Sequence, residues 1–469
     1  MKTLALAVAA STLLFVNTPD RHRTIEEHFT TTASQSIELR GFSGSRLKVR
    51  SWDKNEISIR LDISFSASDQ RDEQKYLDAI TLKYNESKEL FRIEYQEPEV
   101  SMRGNSSFWS WLKSLFSGSF TRKEVEGEIF VPRSNALTAE VRYGSIEMEG
   151  MKGSLVLLGT GNTVTLRNCS ALGEVTNDYG KATIENCGGA LRLSSKSTTV
   201  LVDQFDGKVA IDADYSNITV RDVNQSLTVH STSGTIKIDN VSGDASVQSD
   251  YSNITVNNVG GMLEVEDRSG RIRAKGVGGV KVDADYSSME ISDVSGKSGR
   301  SITLSGQSGQ IFLTNAVGDV QIDNPYGNVD VKDIRGNVEV KTKSSNVRAS
   351  RVSGDWTSTT QYCTLSLRDV GAKRVTMSNM SGQIDVELNL VPAVVDIRNE
   401  YAKVNLDMPA GFSGEVDLNV TYGHIETNLP LAKTKSVDGG GGYAMGKIGS
   451  GNGKLSVETK SGNLKVMQR

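Results

Sequence analysis

Gly207-Lys-Val-Ala-Ile-Asp-Ala-Asp-Tyr-Ser-Asn-Ile-Thr-Val-Arg-Asp-Val-Asn224 is the stretch that decides the fold. Val209, Ile211 and Ala213 alternate with polar residues, the pattern of a strand with one buried face. Asp214-Tyr215-Ser216-Asn217 reads as a turn, Ile218 and Val220 alternate again as a second strand, and Asp222-Val223-Asn224 closes the unit with a second turn. The grammar repeats with a period of 18: units begin at Gly189, Gly207, Gly243, Gly261, Gly279, Gly318, Gly336 and Gly354. The 39-residue step from Gly279 to Gly318 reads as two units plus a small insertion near Ser295 to Gly299.

A longer period lies above the short one. Tyr143, Tyr179, Tyr215, Tyr251, Tyr286, Tyr326 and Tyr362 are spaced 36, 36, 36, 35, 40 and 36, and Tyr401 follows at 39. Midway between them come Gly161, Ser197, Ser233, Ser269, Ser308 and Ser344. Rungs therefore alternate between a tyrosine turn and a small-residue turn. Parallel rungs stack about 4.8 Å apart, so a tyrosine recurs every ~9.6 Å with a small neighbour making room for its ring. Asn168, Asn186, Asp222, Asn240, Asn258, Asp293, Asp333 and Asp369 mark the second turn. Their side chains are expected to bond turn backbone and stack as a polar ladder. Four strands per 36 residues also suit a propeller blade, but the half-unit is itself a repeat and its turns stack like on like, which favours a solenoid. Residues 136–390 are thus expected as an all-β parallel β-solenoid, its 18-residue rungs paired into a 36-residue repeat. Roughly 14 rungs give a rod of about 65 Å.

The ends differ from the middle. The 53 Lys+Arg nearly balance 57 Asp+Glu, and no basic stripe is interleaved with aromatics, so a nucleic-acid partner lacks its electrostatic footprint. Residues 1–18 read as an export signal, with Lys2 before an apolar run from Leu4 to Val16 too short to span a bilayer comfortably. No later segment is apolar enough to cross a membrane, so the mature chain is expected to have no transmembrane span. Residues 19–135 read as a small α+β cap: strands at Ser36–Leu39, Leu47–Arg50 and Ile57–Ile63, helical composition from Asp69 to Ile80, and a hairpin of Ile80–Tyr84 with Leu90–Tyr95. Within it, residues 101–120 concentrate Phe108, Trp109, Trp111, Leu112, Leu115 and Phe116, of which 108, 112, 115 and 116 share a helical face. Such a helix either caps the first rungs or meets a membrane or partner. Residues 391–469 are expected as irregular rungs and a cap, with Ser436–Gly453 a Gly-rich loop and Lys454–Val466 returning to strands.

Leu47-Lys-Val-Arg-Ser-Trp-Asp-Lys-Asn-Glu-Ile-Ser-Ile59, Ile129-Phe-Val-Pro132, Val141-Arg-Tyr-Gly-Ser-Ile-Glu-Met-Glu-Gly150 and Gly449-Ser-Gly-Asn-Gly-Lys-Leu-Ser-Val-Glu-Thr-Lys-Ser-Gly-Asn-Leu-Lys-Val466 occur in that order. In these motifs the chain resembles the bacterial putative-adhesin family, a β-solenoid domain of unknown function. The resemblance spans most of the mature chain and implies a noncatalytic envelope or surface protein. The aromatic insertion at 101–120 departs from it.

Few residues offer chemistry. Gly441-Gly-Tyr-Ala-Met-Gly-Lys447 has phosphate-loop spacing, but Ile448 stands where a hydroxyl is needed and no helix can follow. His22, His28, His230 and His424 have no metal-ligand spacing, and neither a metal nor a cofactor is expected. Asp212 and Asp214, like Asp283 and Asp285, pair across a strand position. Asp178-Tyr179, Asp214-Tyr215, Asp250-Tyr251 and Asp285-Tyr286 form an Asp–Tyr column. It reads as turn chemistry, Asp opening the turn and Tyr covering it, or as a ligand-binding column that holds calcium or stacks sugars. Cys169 and Cys187, 18 apart, stack in neighbouring rungs and are expected as buried free thiols. The leading expectation is a noncatalytic, adhesin-like envelope protein binding a glycan or protein along its side. The alternatives are a periplasmic envelope-stress or scaffolding component docking through Trp109 and Trp111, and a polysaccharide-active β-helix enzyme.

Overall fold

The computed structural model describes residues 21–66, 70–98, 122–296, 299, 301–436 and 440–469. The repeat folds as a parallel β-solenoid of flattened rungs. Gly207 to Asp214 runs along one sheet to the tyrosine turn, and Ser216–Val223 runs back along the other. Each half-unit lies in register with the same half-unit one rung away: Leu191 faces Val209, and Ile218 faces both Val200 and Ile236. Two parallel sheets therefore stand back to back, joined at two corners of every rung. Between them run inward columns such as Leu191, Val209 and Leu227 against Val200, Ile218 and Ile236, all buried. β-Branched and leucine side chains suit this pleated, close-packed interior, and in-register stacking sets like upon like.

The second corner is tight enough that strands run through it, as Lys181–Lys196 and Thr199–Asp214 do. One residue in the left-handed region turns the chain: Asn186 (φ 51°), Gln204 (54°), Asp222 (52°), Asn240 (59°) and Asn258 (57°) in successive rungs. Asn and Asp tolerate this conformation better than other residues with a Cβ, which is why they mark the corner in the sequence.

Stacking extends beyond 136–390 at both ends, and at both ends it runs out of chain order. Ser36–Ser43 and Ser45–Trp52 form a rung, so they are part of the coil rather than of a separate cap. That rung pairs in parallel with Leu137–Arg142 and Ser145–Glu149 on one side, and with Leu90–Gln96 and Arg122–Pro132 on the other. At the far end, Gly453–Ser461 lies between Val394–Tyr401 and Gly414–Tyr422, while Leu464–Gln468 lies between Val404–Met408 and Ile425–Thr427. The last strands return to rung grammar as expected, but they insert between two earlier rungs. Each of these segments is thus hydrogen-bonded on both edges, which protects it from end fraying.

Antiparallel strands and one helix finish the ends. Arg21–Thr30, a strand that the sequence reading missed, pairs with Glu56–Ser66, which pairs in turn with Arg122–Pro132. The expected helix is Gln70–Ala79. Its buried Tyr76 stacks on Phe65 at 4.0 Å between centroids, and Arg23 donates to the carbonyls of Leu77 and Ile80 at the helix C-terminal end. The expected hairpin is Thr81–Glu86 with Leu90–Gln96. Ser436–Gly453 is not all loop: Gly442–Ile448 pairs antiparallel with Gly414–Tyr422, and Lys433–Ser436 pairs with it in turn. The exposed lysines Lys433 and Lys435 on that outer strand discourage further strand addition. The signal at 1–18 and the aromatic residues Phe108, Trp109, Trp111, Leu112, Leu115 and Phe116 lie outside the described residues.

Candidate functional site

The tyrosine turns line up on one corner of the rod. Tyr143, Tyr179, Tyr215, Tyr251, Tyr286, Tyr326, Tyr362, Tyr401 and Tyr422 are each 53 to 68% exposed. Small residues separate them in space: Ser233 pairs with Tyr251, and Ser381 lies between Tyr362 and Tyr401. Tyr422, only 21 residues after Tyr401, breaks the sequence period and was not read as part of the row. The threaded C-terminal segment places Ser461 between them, opposite both, so the alternation holds in the rod even where it fails in the chain.

Three devices fix this corner. Backbone hydrogen bonds continue through it, from the amide of Tyr143 to the carbonyl of Thr160 (2.8 Å) and from Tyr179 to Lys196 (2.8 Å). The small neighbour is sterically required at Gly161, where a Cβ would stand 2.7 Å from Cδ1 of Tyr143, so that ring leans along the rod over the next rung. Buried polar side chains then tie the turn from inside. Asn162 donates to the carbonyl of Val141 (2.7 Å) and accepts from the amide of Gly144 (2.9 Å). Asn177, Asn324, Asn379 and Asn399 donate to the carbonyls of Asn162 (2.9 Å), Gly309 (3.0 Å), Cys363 (3.0 Å) and Ala402 (3.1 Å). Sequence reasoning missed these groups, although Asn177, Asn324 and Asn399 lie two residues before a tyrosine of the row and Asn379 two before the small residue Ser381. Tyr143, Tyr179 and Tyr215 sit at φ 56°, 57° and 52°, a conformation that aromatic residues rarely adopt and that only a well-braced turn sustains.

The expected column of Asp178, Asp214, Asp250 and Asp285 flanks this row, half-buried, each just before its tyrosine. Intervening rungs place other groups between the carboxylates. Asp214 faces Lys196 across the ladder and accepts from the amide and hydroxyl of Thr232. Asp250 lies 3.9 Å from Arg268, whose guanidinium the Tyr251 side chain and Asp250 hold in its charged form. No three His, Cys, Asp or Glu side chains converge as a metal site among the described residues. Lys196 and Arg268 interrupt the carboxylates at two rungs and the neutral Thr232 at a third, while Glu266, Asp283 and Asp285 join Asp250 and Arg268 around a shallow acidic pocket. One carboxyl, Asp267, turns inward instead. It is 6% exposed, its Oδ2 accepts from Ser287 (2.7 Å), its Oδ1 has no partner, and burial raises its pKa above the ordinary aspartate value.

The opposite corner carries a ladder, but not to turn backbone as the sequence suggested. Asn258 donates to Asn240 (2.9 Å) and Asn240 to Asp222 (2.8 Å), side chain to side chain up the rod. Asn315 to Asp293 (2.6 Å) and Asn389 to Asp369 (2.6 Å) repeat the arrangement. Beside it runs an open groove of about 570 Å³ floored by Ser242, Gly260, Gly278 and Ser295. Cys169 and Cys187 are free, buried and in contact, the Cys187 sulfur accepting from the Cys169 amide (3.4 Å). Hydrogen bonding with Cys169, then burial, pushes the Cys187 thiol up, which leaves it unreactive.

The rungs from Ser287 onward carry a family resemblance. Residues 287–467 match the Toastrack DUF4097 family. The Toastrack match begins directly after Tyr286 and includes the C-terminal segment that threads between earlier rungs. The resemblance to a putative-adhesin-type β-solenoid family is met by that match, over fewer than half of the residues. A crystal structure of a putative cell adhesion protein from Clostridium sporogenes ATCC 15579 is similar at 9% identity, over 96% of this chain and 100% of that one, with a TM-score of 0.17. At that score the two chains do not superpose as whole bodies. No curated protein matches the chain. Among the described residues no helix is long and apolar enough to cross a membrane.

Proposed function

We propose that the chain is a noncatalytic, exported protein of the cell envelope or surface, adhesin-like, that binds a glycan or an envelope protein along its side through the tyrosine row. The observation that carries this reading is the alternation of nine exposed tyrosines with small residues, kept in space at Ser461 where the chain order breaks. Tyrosine supplies a large, rigid, amphipathic contact at low entropic cost, and repeated along a rod it favours an extended ligand by multivalency. The substitution of Tyr215, Tyr251 and Tyr286 together by Ser tests it. Retention of the labelled mature protein on intact cells is expected to fall about tenfold or more. Unchanged retention with an intact fold would sink the reading. Protease shaving of intact cells separates a surface protein, which is cut, from a periplasmic one, which survives.

A further inference from the structure

Resting on the tyrosine row as a binding face, we infer that its ligand is an uncharged, extended polysaccharide of β-1,4-linked sugars lying along the rod axis. Three observations lead there. The first is spacing. Tyrosines stand two rungs apart, and two rungs span ~9.6 Å. In an extended β-1,4-linked chain successive sugars turn over, so the same apolar ring face recurs at every second sugar, over close to the same length. A helical α-linked polymer has no such straight repeat. The second is ring placement. The Tyr143 ring leans along the rod over Gly161, and the residue is still 68% exposed. A ring laid along the row in this way presents a platform to the CH face of a sugar rather than a wedge to a protein pocket. The third is charge. Next to the tyrosines, Asp214 stands against Lys196, and Asp250 near Arg268. With the neutral Thr232 between Asp214 and Asp250, the strip offers hydrogen bonds to hydroxyls of either polarity, while a polyanion would meet the carboxylates of Asp178, Asp214, Asp250 and Asp285 and the acidic cluster beside the last two.

The Tyr-braced length also fixes how affinity grows. Each added pair of sugars reaches one more tyrosine, whereas one added sugar reaches none, so binding should strengthen in steps of two. The probes are soluble cello- and chito-oligosaccharides of two to eight sugars, titrated against the full mature protein, with amylose and polygalacturonate as controls. The expected result is affinity rising about tenfold from four to eight sugars, mainly at even lengths, with at least about tenfold weaker retention on both control polymers. Replacing Tyr215, Tyr251 and Tyr286 by Phe keeps the rings and should change octamer affinity by less than about threefold, while replacing them by Ser should cut the octamer bound at saturation several-fold, leaving Tyr326, Tyr362, Tyr401 and Tyr422 as the one run that spans eight sugars. Equal binding of amylose or polygalacturonate, or a smooth length dependence, overturns the inference. If no β-1,4-linked probe binds but the Ser variant still loses cell attachment, the polysaccharide class fails and the tyrosine row stands as a face for another partner. If the Ser variant loses neither, both fail. Circular dichroism and the thermal midpoint of each variant confirm that the comparison is made on folded protein.

Discussion

The two corners of a rung solve one problem in opposite ways. Both must turn the chain between sheets and satisfy backbone polar groups there. At the Asn corner the side chains point outward and bond one another, Asn258 to Asn240 to Asp222, so the corner's polar capacity is used up on its own surface. At the tyrosine corner the polar groups lie inside, where Asn177, Asn379 and Asn399 hold the turn carbonyls, and the outward position is left to a residue that the fold does not need there. One corner is spent on stability. The other is braced from within and free to bind.

Substitutions can break or sharpen that contrast. The largest effect should come from Gly207→Val, next to the Asn corner. A Cβ there would stand 1.9 Å from the carbonyl oxygen of Gly189, at φ 149°, and the loss should exceed about 4 kcal/mol. Hydrogen exchange should show the neighbouring rungs losing protection first, since each rung contacts only its neighbours. Asn379→Ala empties the brace at the tyrosine corner and leaves buried carbonyls unpaired, for a loss of about 2–3 kcal/mol in chemical denaturation. Asn240→Ala cuts the exposed ladder at a left-handed residue and should cost about 1–2 kcal/mol, with Asn240→Gly milder because glycine accepts φ 59° freely. If the exposed ladder costs more than the buried brace, the contrast is wrong.

Asp267 gives a pH test of the inner column. Its folded pKa is raised, so its contribution is fully present below the unfolded value of about 3.9 and is lost as pH rises through the folded one. Asp267→Asn keeps an acceptor for Ser287 and avoids the buried charge. The variant should melt higher than the parent at neutral pH and lose part of the parent's decline from mildly acid pH upward, read from thermal midpoints at pH 4 to 7. The smallest effect on stability should come from Tyr215, Tyr251 and Tyr286 changed to Ser, within about 0.5 kcal/mol each, as for ordinary surface positions.

The repeat was legible because in-register stacking writes each corner into the chain every 18 residues, and Tyr215 and Asp222 show both corners in one unit. The inner brace was harder to read. Asn177 occupies a position where Ala213 and Ala284 also serve, so it looks like an ordinary break in hydrophobic alternation. The threading of the ends left no local trace either. Lys454 to Val466 reads as a rung, but a rung's pattern names the face it buries and not the neighbour it pairs with. For the same reason the 21-residue step from Tyr401 to Tyr422 hides a row that Ser461 completes in space. Ladder partners at the Asn corner were misread because Asn and Asp side chains bond local backbone and distant side chains equally well.

The central claim is that the tyrosine corner, and not the Asn corner, is the binding face. The native cysteines Cys169, Cys187 and Cys363 are buried, so a single introduced thiol can be labelled selectively. Ser233→Cys lies in the tyrosine row and Ser242→Cys in the groove of the opposite corner. Each is to be coupled to a bulky maleimide polymer and tested for retention on intact cells and on the eight-sugar probes. Blockade at position 233 with normal retention at position 242 is the predicted result. Blockade at 242 alone, or at neither, would contradict it.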